Sequence, residues 1–203
     1  MAAPRRTQQE RREETKRRLV DSTIDCLIEL GYTRLTTTEV CRASGLSQGA
    51  IFKHFPTKFD LVAAATVRLY EQLVDDYRHA VADLPDGPEK ITGCLDALWA
   101  LYETPRLLAV FDLHTAARTD PELREVMCSV EKPHWANIEG LAGEIFPEMA
   151  DNPLFAGAID LLISTVQGAA ISGLARRDEV KEMRLKITLE LVARHFLEVV
   201  DAN

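Results

Sequence analysis

The sequence predicts an all-α protein in two parts, a short N-terminal three-helix domain and a longer helical domain. Three observations predict it. Apolar residues recur at helical spacing along nearly the whole 203-residue chain. Helix-starting Ser and Thr and helix-stopping Gly and Pro punctuate that pattern at short intervals up to Pro56 and at longer ones beyond it. Charge divides at the same place. Residues 1–60 hold 11 Lys/Arg and 8 Asp/Glu, a balance of +3, whereas residues 61–203 hold 13 and 24, a balance of −11. The total of −8 hides a positive end that can meet a polyanion while the acidic remainder faces away from it.

The first helix reads from about Lys16 to Leu30, with Leu19, Val20, Thr23, Ile24, Leu27 and Leu30 at helical spacing and Gly31 placed to stop it. Residues 1–14 read as a basic flexible arm. Arg5, Arg6, Arg11 and Arg12 lie in it and Lys16, Arg17 and Arg18 follow it, opposed by Glu10, Glu13 and Glu14. Such an arm is either a solvated tail or a phosphate-tracking strand, and in the second case it adds affinity more than specificity.

Thr36 with Glu39 predicts a capping box and a second helix, carrying Val40 and Ala43 inward and stopped by Gly45. Ser47 caps a third, from Gln48 to Phe55, with Ile51 and Phe55 on one inward face. Pro56 ends it, and Thr57 with Asp60 opens a longer helix. Two short helices joined by a tight Gly-containing turn form a helix-turn-helix, whose second helix lies in the DNA major groove. Its outward face here is Gln48, Gly49, Ala50, Phe52, Lys53 and His54. Gln reads base edges and small residues allow close approach. Lys53, His54 and Lys58 are placed for phosphates, Lys58 at a helix N-terminus. Gly45-Leu46-Ser47-Gln48-Gly49 also matches the G-x-S-x-G elbow of hydrolases. That elbow needs a preceding strand, and a helix precedes it here, so Ser47 reads as a cap that can also donate to phosphate.

The string T-T-x-x-V-x-x-x-x-G-L-S-x-G-x-I-F-x-H-F-x-x-K from Thr36 to Lys58 resembles the DNA-binding domain of TetR-family transcriptional regulators, with specific likeness over about Arg18 to Leu61. Phe52 departs from the Tyr common in that family, so a phosphate contact from that hydroxyl is absent. The resemblance implies DNA contacts at Thr37, Thr38, Ser47, Gln48, Gly49, Ala50, Phe52, Lys53, His54 and Lys58, in a domain spanning 15–60. It also implies that 61–203 form an effector-binding and dimerisation domain.

That second domain reads as a helix over 58–82, a breaker at Asp83–Pro88, helices over 88–103 and 105–117, and a helix from Pro121 towards Phe146 with a kink or break near Lys132 caused by Pro133. Residues 154–174 are apolar and small almost throughout, which predicts a buried helix. A membrane span is the competing reading, opposed by Asp160 and Gln167 inside the run. The final helix, 180–200, carries Leu185, Leu189, Val192 and Phe196 on one stripe, with Ile187 and Leu191 outside it. Such wide apolar coverage predicts a homodimer through helices of about 154–177 and 180–200. The resemblance implies a small-molecule pocket, for which Trp99, Tyr102, Phe111, His114, Met127 and Trp135 are candidates; each also reads as plain core.

Neither a cofactor nor a metal is expected: Cys26, Cys41, Cys94 and Cys128 lack metal-ligand spacing. No signal peptide is visible, which predicts the cytoplasm. The expected function is a non-enzymatic, sequence-specific transcriptional regulator, a repressor released from a palindromic operator by a small molecule. The alternatives are an activator of the same fold and a non-specific architectural DNA-binding protein. A helical enzyme built on Asp112 and His114 is disfavoured, because residues at i and i+2 do not share a helix face.

Overall fold

The computed structural model describes residues 7–201. Among them are nine α-helices: α1 (Gln8–Leu30), α2 (Thr37–Ser44), α3 (Gln48–His54), α4 (Lys58–Val81), α5 (Pro88–Tyr102), α6 (Pro105–Ala117), α7 (Pro121–Ile145), α8 (Phe155–Gly173) and α9 (Glu179–Asp201). Arg5 and Arg6 of the expected arm lie outside the described residues.

Helix α1 begins earlier than the apolar spacing indicates. Thr7 is its N-cap: the Glu10 N–H donates to Thr7 Oγ1 at 3.2 Å and the Thr7 N–H donates to Glu10 Oε2 at 2.7 Å. This reciprocal box starts the helix about three turns before Leu19, the first buried residue. Residues 8–14 are therefore helical, where the sequence suggested a flexible arm.

The described residues form two compact units, 7–71 with 108–132, and 72–107 with 133–201. The chain passes between them inside α4, α6 and α7. The compact unit that holds the helix-turn-helix thus runs on past residue 60 and takes in most of α6 and the first half of α7. In the first unit α1 buries Leu19, Ile24 and Leu27 together with Val40, Ile51 and Phe55, all 4% exposed or less. These residues form the expected three-helix core. Leu61, Val62, Leu69, Leu113 and Leu123 extend it.

In the second unit α5 packs on α8 and α9. Helix α7 runs through Pro133 without a break; the unit boundary falls at this residue instead. Helix α8 is not the buried helix its composition predicts, because its buried residues are Ile163 and Val166 while Leu161 and Ile171 are exposed. On α9, Leu189 faces inward, and Met183, Ile187 and Leu191 stand in solvent. By length and composition α8 alone among the described helices could cross a membrane.

Candidate nucleic-acid interface and helical-unit cavity

The turn between α2 and α3 is set by Gly45, whose φ of 65° and ψ of 24° are left-handed and whose N–H donates to the Cys41 carbonyl at 2.9 Å. A Cβ there would be strained and would meet Arg18 Nη2 at 3.1 Å. Ser47 then caps α3, its Oγ accepting the Ala50 N–H at 3.2 Å. Thr36 Oγ1 accepts the Glu39 N–H at 3.2 Å, but the return half of that expected capping box is missing. The Glu39 carboxylate takes Arg42 instead, at 2.9 Å. Thr57 and Asp60 do exchange both bonds, at 2.9 and 3.1 Å, which fixes the start of α4.

This geometry brings the ends of two helices together. Gln48 Nε2 donates to Thr38 Oγ1 at 3.3 Å and reaches Thr37 Oγ1 at 3.5 Å. An exposed amide and two hydroxyls thus share one surface. Beside them Gly49 is exposed, Ala50 half-buried, and Phe52 49% exposed although it is a large apolar side chain. Lys53 is exposed and His54 half-buried at the C-terminal end of α3. Burial holds the His54 imidazole below its ordinary range, and the charges of Arg12 and Lys53 push in the same direction. Arg12, on the early turns of α1, thus joins the cationic edge of this surface. The T-x-x-E cap at Thr7 is the sequence signal that locates it.

Lys58 occupies a different setting. Its ammonium stands 4.6 Å from the Tyr32 ring centroid, a cation–π distance. Burial lowers its pKa, opposed by the charge of Asp120.

In the second unit lies a cavity of about 520 Å³ between α4, α5, the start of α6, α7, α8 and α9, walled by residues such as Leu73, Leu98, Leu141, Leu162 and Phe196. Its volume is within the range of small-molecule sites.

The comparisons with known proteins then decide the family. Residues 19–65 match the family model described as bacterial regulatory proteins, tetR family. An uncharacterized HTH-type transcriptional regulator of Mycobacterium tuberculosis is 32% identical over 193 residues, covering 92% of this chain and 97% of its own. The chain belongs to the TetR family. The HTH-type transcriptional regulator CymR of Pseudomonas putida is also similar, 30% identical with 97% of this chain and 98% of that one covered. In fold the chain resembles the crystal structure of a TetR transcription regulator from Haloarcula marismortui, with a TM-score of 0.66, 21% identity, and coverage of 90% and 98%. The protein is a helix-turn-helix, DNA-binding transcriptional regulator.

In this TetR-family chain nine of the ten DNA-contact candidates lie at the α2 start and on α3 or its cap, and Lys58 stands apart from them at the α4 start, against Tyr32. The six pocket candidates do not cluster. Tyr102 lines the cavity. Trp99 lines a smaller hollow of about 120 Å³ that Tyr102 also reaches, and carries Lys186 5.4 Å from its ring centroid. Trp135 is half-buried in the same unit, off the cavity wall. Phe111, His114 and Met127 belong to the first unit. There Phe111 and Met127 are buried core, and His114 joins Tyr70 Oη at 3.2 Å and Glu131 at 3.0 Å. Asp112 accepts the Tyr32 N–H, so Asp112 and His114 serve separate contacts rather than one acid–base pair. The cavity wall is mostly Leu, Ile and Val from six helices, residues that carry no signal in a sequence beyond ordinary core.

Proposed function

We propose that the protein is a cytoplasmic homodimeric repressor that reads a palindromic operator with α3 and leaves it when a small molecule occupies the cavity of the second unit. The observation that carries this reading is the exposed surface formed by Thr37, Thr38 and Gln48 over a rigidly capped α3. The amide of Gln48 can serve adenine N6 and N7 in the major groove. Lys53 and Arg12 supply cationic edges for phosphates, which orient the helix, His54 offers a ring N–H beside them, and Lys58 adds a cation at the α4 N-terminus.

The dimer rests on α8 and α9. Leu161, Ile171, Met183, Ile187 and Leu191 are each 47% exposed or more, a spread of large apolar side chains that a second copy would cover. Two such subunits present two copies of α3, which suit half-sites one helical turn apart, about 34–36 Å. An effector that favours another spacing weakens DNA binding by the same factor by which DNA weakens the effector. Helices α4, α6 and α7, each shared by both units, are the covalent routes for that coupling.

Selection of bound sequences from random duplex DNA tests the proposal. It predicts a consensus of two inverted half-sites. Recovery of unselected sequence, with retention set by salt alone, would contradict it and describe an architectural protein.

A further inference from the structure

The chemistry of the 520 Å³ cavity restricts what it can hold. Its wall contains no Asp, Glu, Lys or Arg among the described residues. The polar side chains on it are Tyr77, Tyr102, His134 and the Cys94 thiol. Tyr77 already donates its hydroxyl proton to the Cys94 carbonyl at 3.1 Å. Burial pushes the phenols of Tyr77 and Tyr102 and the thiol of Cys94 upward, so all three stay neutral at ordinary pH. Lys90 is off the wall. Its ammonium stands 5.6 Å from the ring of the wall residue Phe146 and is paired with Asp86 at 3.0 Å.

A charge brought into such a space loses hydration and meets no carboxylate, ammonium or guanidinium on the wall, which is costly. An apolar body replaces water at Leu and Ile surfaces with gain. At ~30 Å³ per water-sized group the volume suits on the order of 15–20 non-hydrogen atoms. We propose that the effector is a neutral, mainly hydrocarbon molecule with at most one or two hydrogen-bonding groups, held in this cavity against the α5 and α7 side chains. The inference rests on the reading of the cavity as the effector site.

The test uses the full-length protein and the neutral fluorophore N-phenyl-1-naphthylamine, displaced by dodecan-1-ol, dodecanoate or dodecylammonium at neutral pH. The three competitors share one alkyl chain and differ in charge. Dodecan-1-ol is expected to displace the fluorophore at a concentration lower by about tenfold or more than either ion, since only the ions bury an unpaired charge. Equal or better displacement by dodecanoate would overturn neutrality and implicate His134 or Lys90, and by dodecylammonium would overturn it through an acidic group. Ala158→Phe and Gly157→Leu both fill the cavity from α8, and a Cβ at Gly157 meets nothing within 4 Å. Whichever variant keeps its helix content should bind the fluorophore more weakly. Saturable binding unchanged by a folded filling variant, or no saturable binding by the unmodified protein, would overturn the effector-site reading itself, and the ligand class with it.

Discussion

The Tyr32 hydroxyl donates to Asp120 Oδ2 at 2.8 Å. The same tyrosine gives its backbone N–H to Asp112 and its ring face to Lys58. Preceding it, Gly31 has a φ of 74°, and a Cβ there would meet Asp112 Oδ2 at 3.0 Å. The end of α1 is thus tied to α6 and to the turn before α7 by two carboxylates that the chain supplies about 80 to 90 residues later. A hydrogen bond to an ionised acceptor is stronger than a neutral one.

Tyr32→Phe keeps the ring and removes the donor, so it should lower the thermal midpoint at neutral pH. The Asp120 carboxyl is held below its ordinary value of 3.8 by the Leu123 N–H first and the Tyr32 hydroxyl second. A folded value below the unfolded one gives stability that is present above 3.8 and lost as pH falls through the depressed value. The gap between the two proteins should therefore narrow in strong acid. A gap independent of pH across thermal melts would show that Tyr32 acts through packing.

Gln48→Ala should reduce affinity for the selected operator by about 5- to 150-fold, the equivalent of one bidentate base contact at ~1–3 kcal/mol. Affinity for random duplex should change little. Fluorescence anisotropy on both duplexes measures this, and equal losses would reassign Gln48 to the α2–α3 contact with Thr37 and Thr38.

Lys58→Ala should weaken binding to every sequence and reduce the slope of log affinity against log salt by about 1. The side chain must exchange the Tyr32 ring for a phosphate to act in this way. An unchanged slope would leave Lys58 as the structural partner of Tyr32 and Asp120.

His54 should make DNA binding depend on pH. In the free protein its pKa is lowered from 6.5, by burial and by Arg12 and Lys53, and a phosphate would raise it. A group whose pKa is higher in the complex strengthens binding below the free value and loses that contribution as pH rises through the bound value. Affinity should rise as pH falls through the bound value and level off below the free one, and His54→Gln should flatten that rise. The same pH profile in both proteins would exclude a His54–phosphate contact.

Leu191→Glu and Ile187→Glu place charges where the native side chains are 63% and 54% exposed in one chain. Sedimentation should show a dimer for the unmodified protein and a monomer for either variant, with helix content retained. Dimeric variants would move the subunit interface away from this face of α9.

The DNA-binding part was legible because its geometry is local. Ser47, Gly45 and Pro56 act within a few residues of where they stand, and so did Thr7, whose box was visible in the string Thr7–Glu10 but lay outside the apolar pattern. Glu39 shows the limit of such reading: the Thr36–Glu39 spacing is right for a capping box, and Arg42 takes the carboxylate. The ties from Tyr32 to Asp112 and Asp120 could not be read, since nothing in the spacing joins residues so far apart. Helix α8 misled in a different way. Composition measures how apolar a helix is, and it cannot say whether its cover is its own chain or a second one. The cavity was illegible because a wall of Leu and Ile differs from a core only in what is missing between them.

The most direct measurement is the affinity of the unmodified protein for the selected duplex and for random duplex, at about 50 and about 200 mM salt. Reading of sequence by α3 predicts a specific-to-random ratio of ~10³ or more at both salts, with both affinities falling as salt rises. A ratio near unity, with salt controlling the whole of binding, would contradict the account.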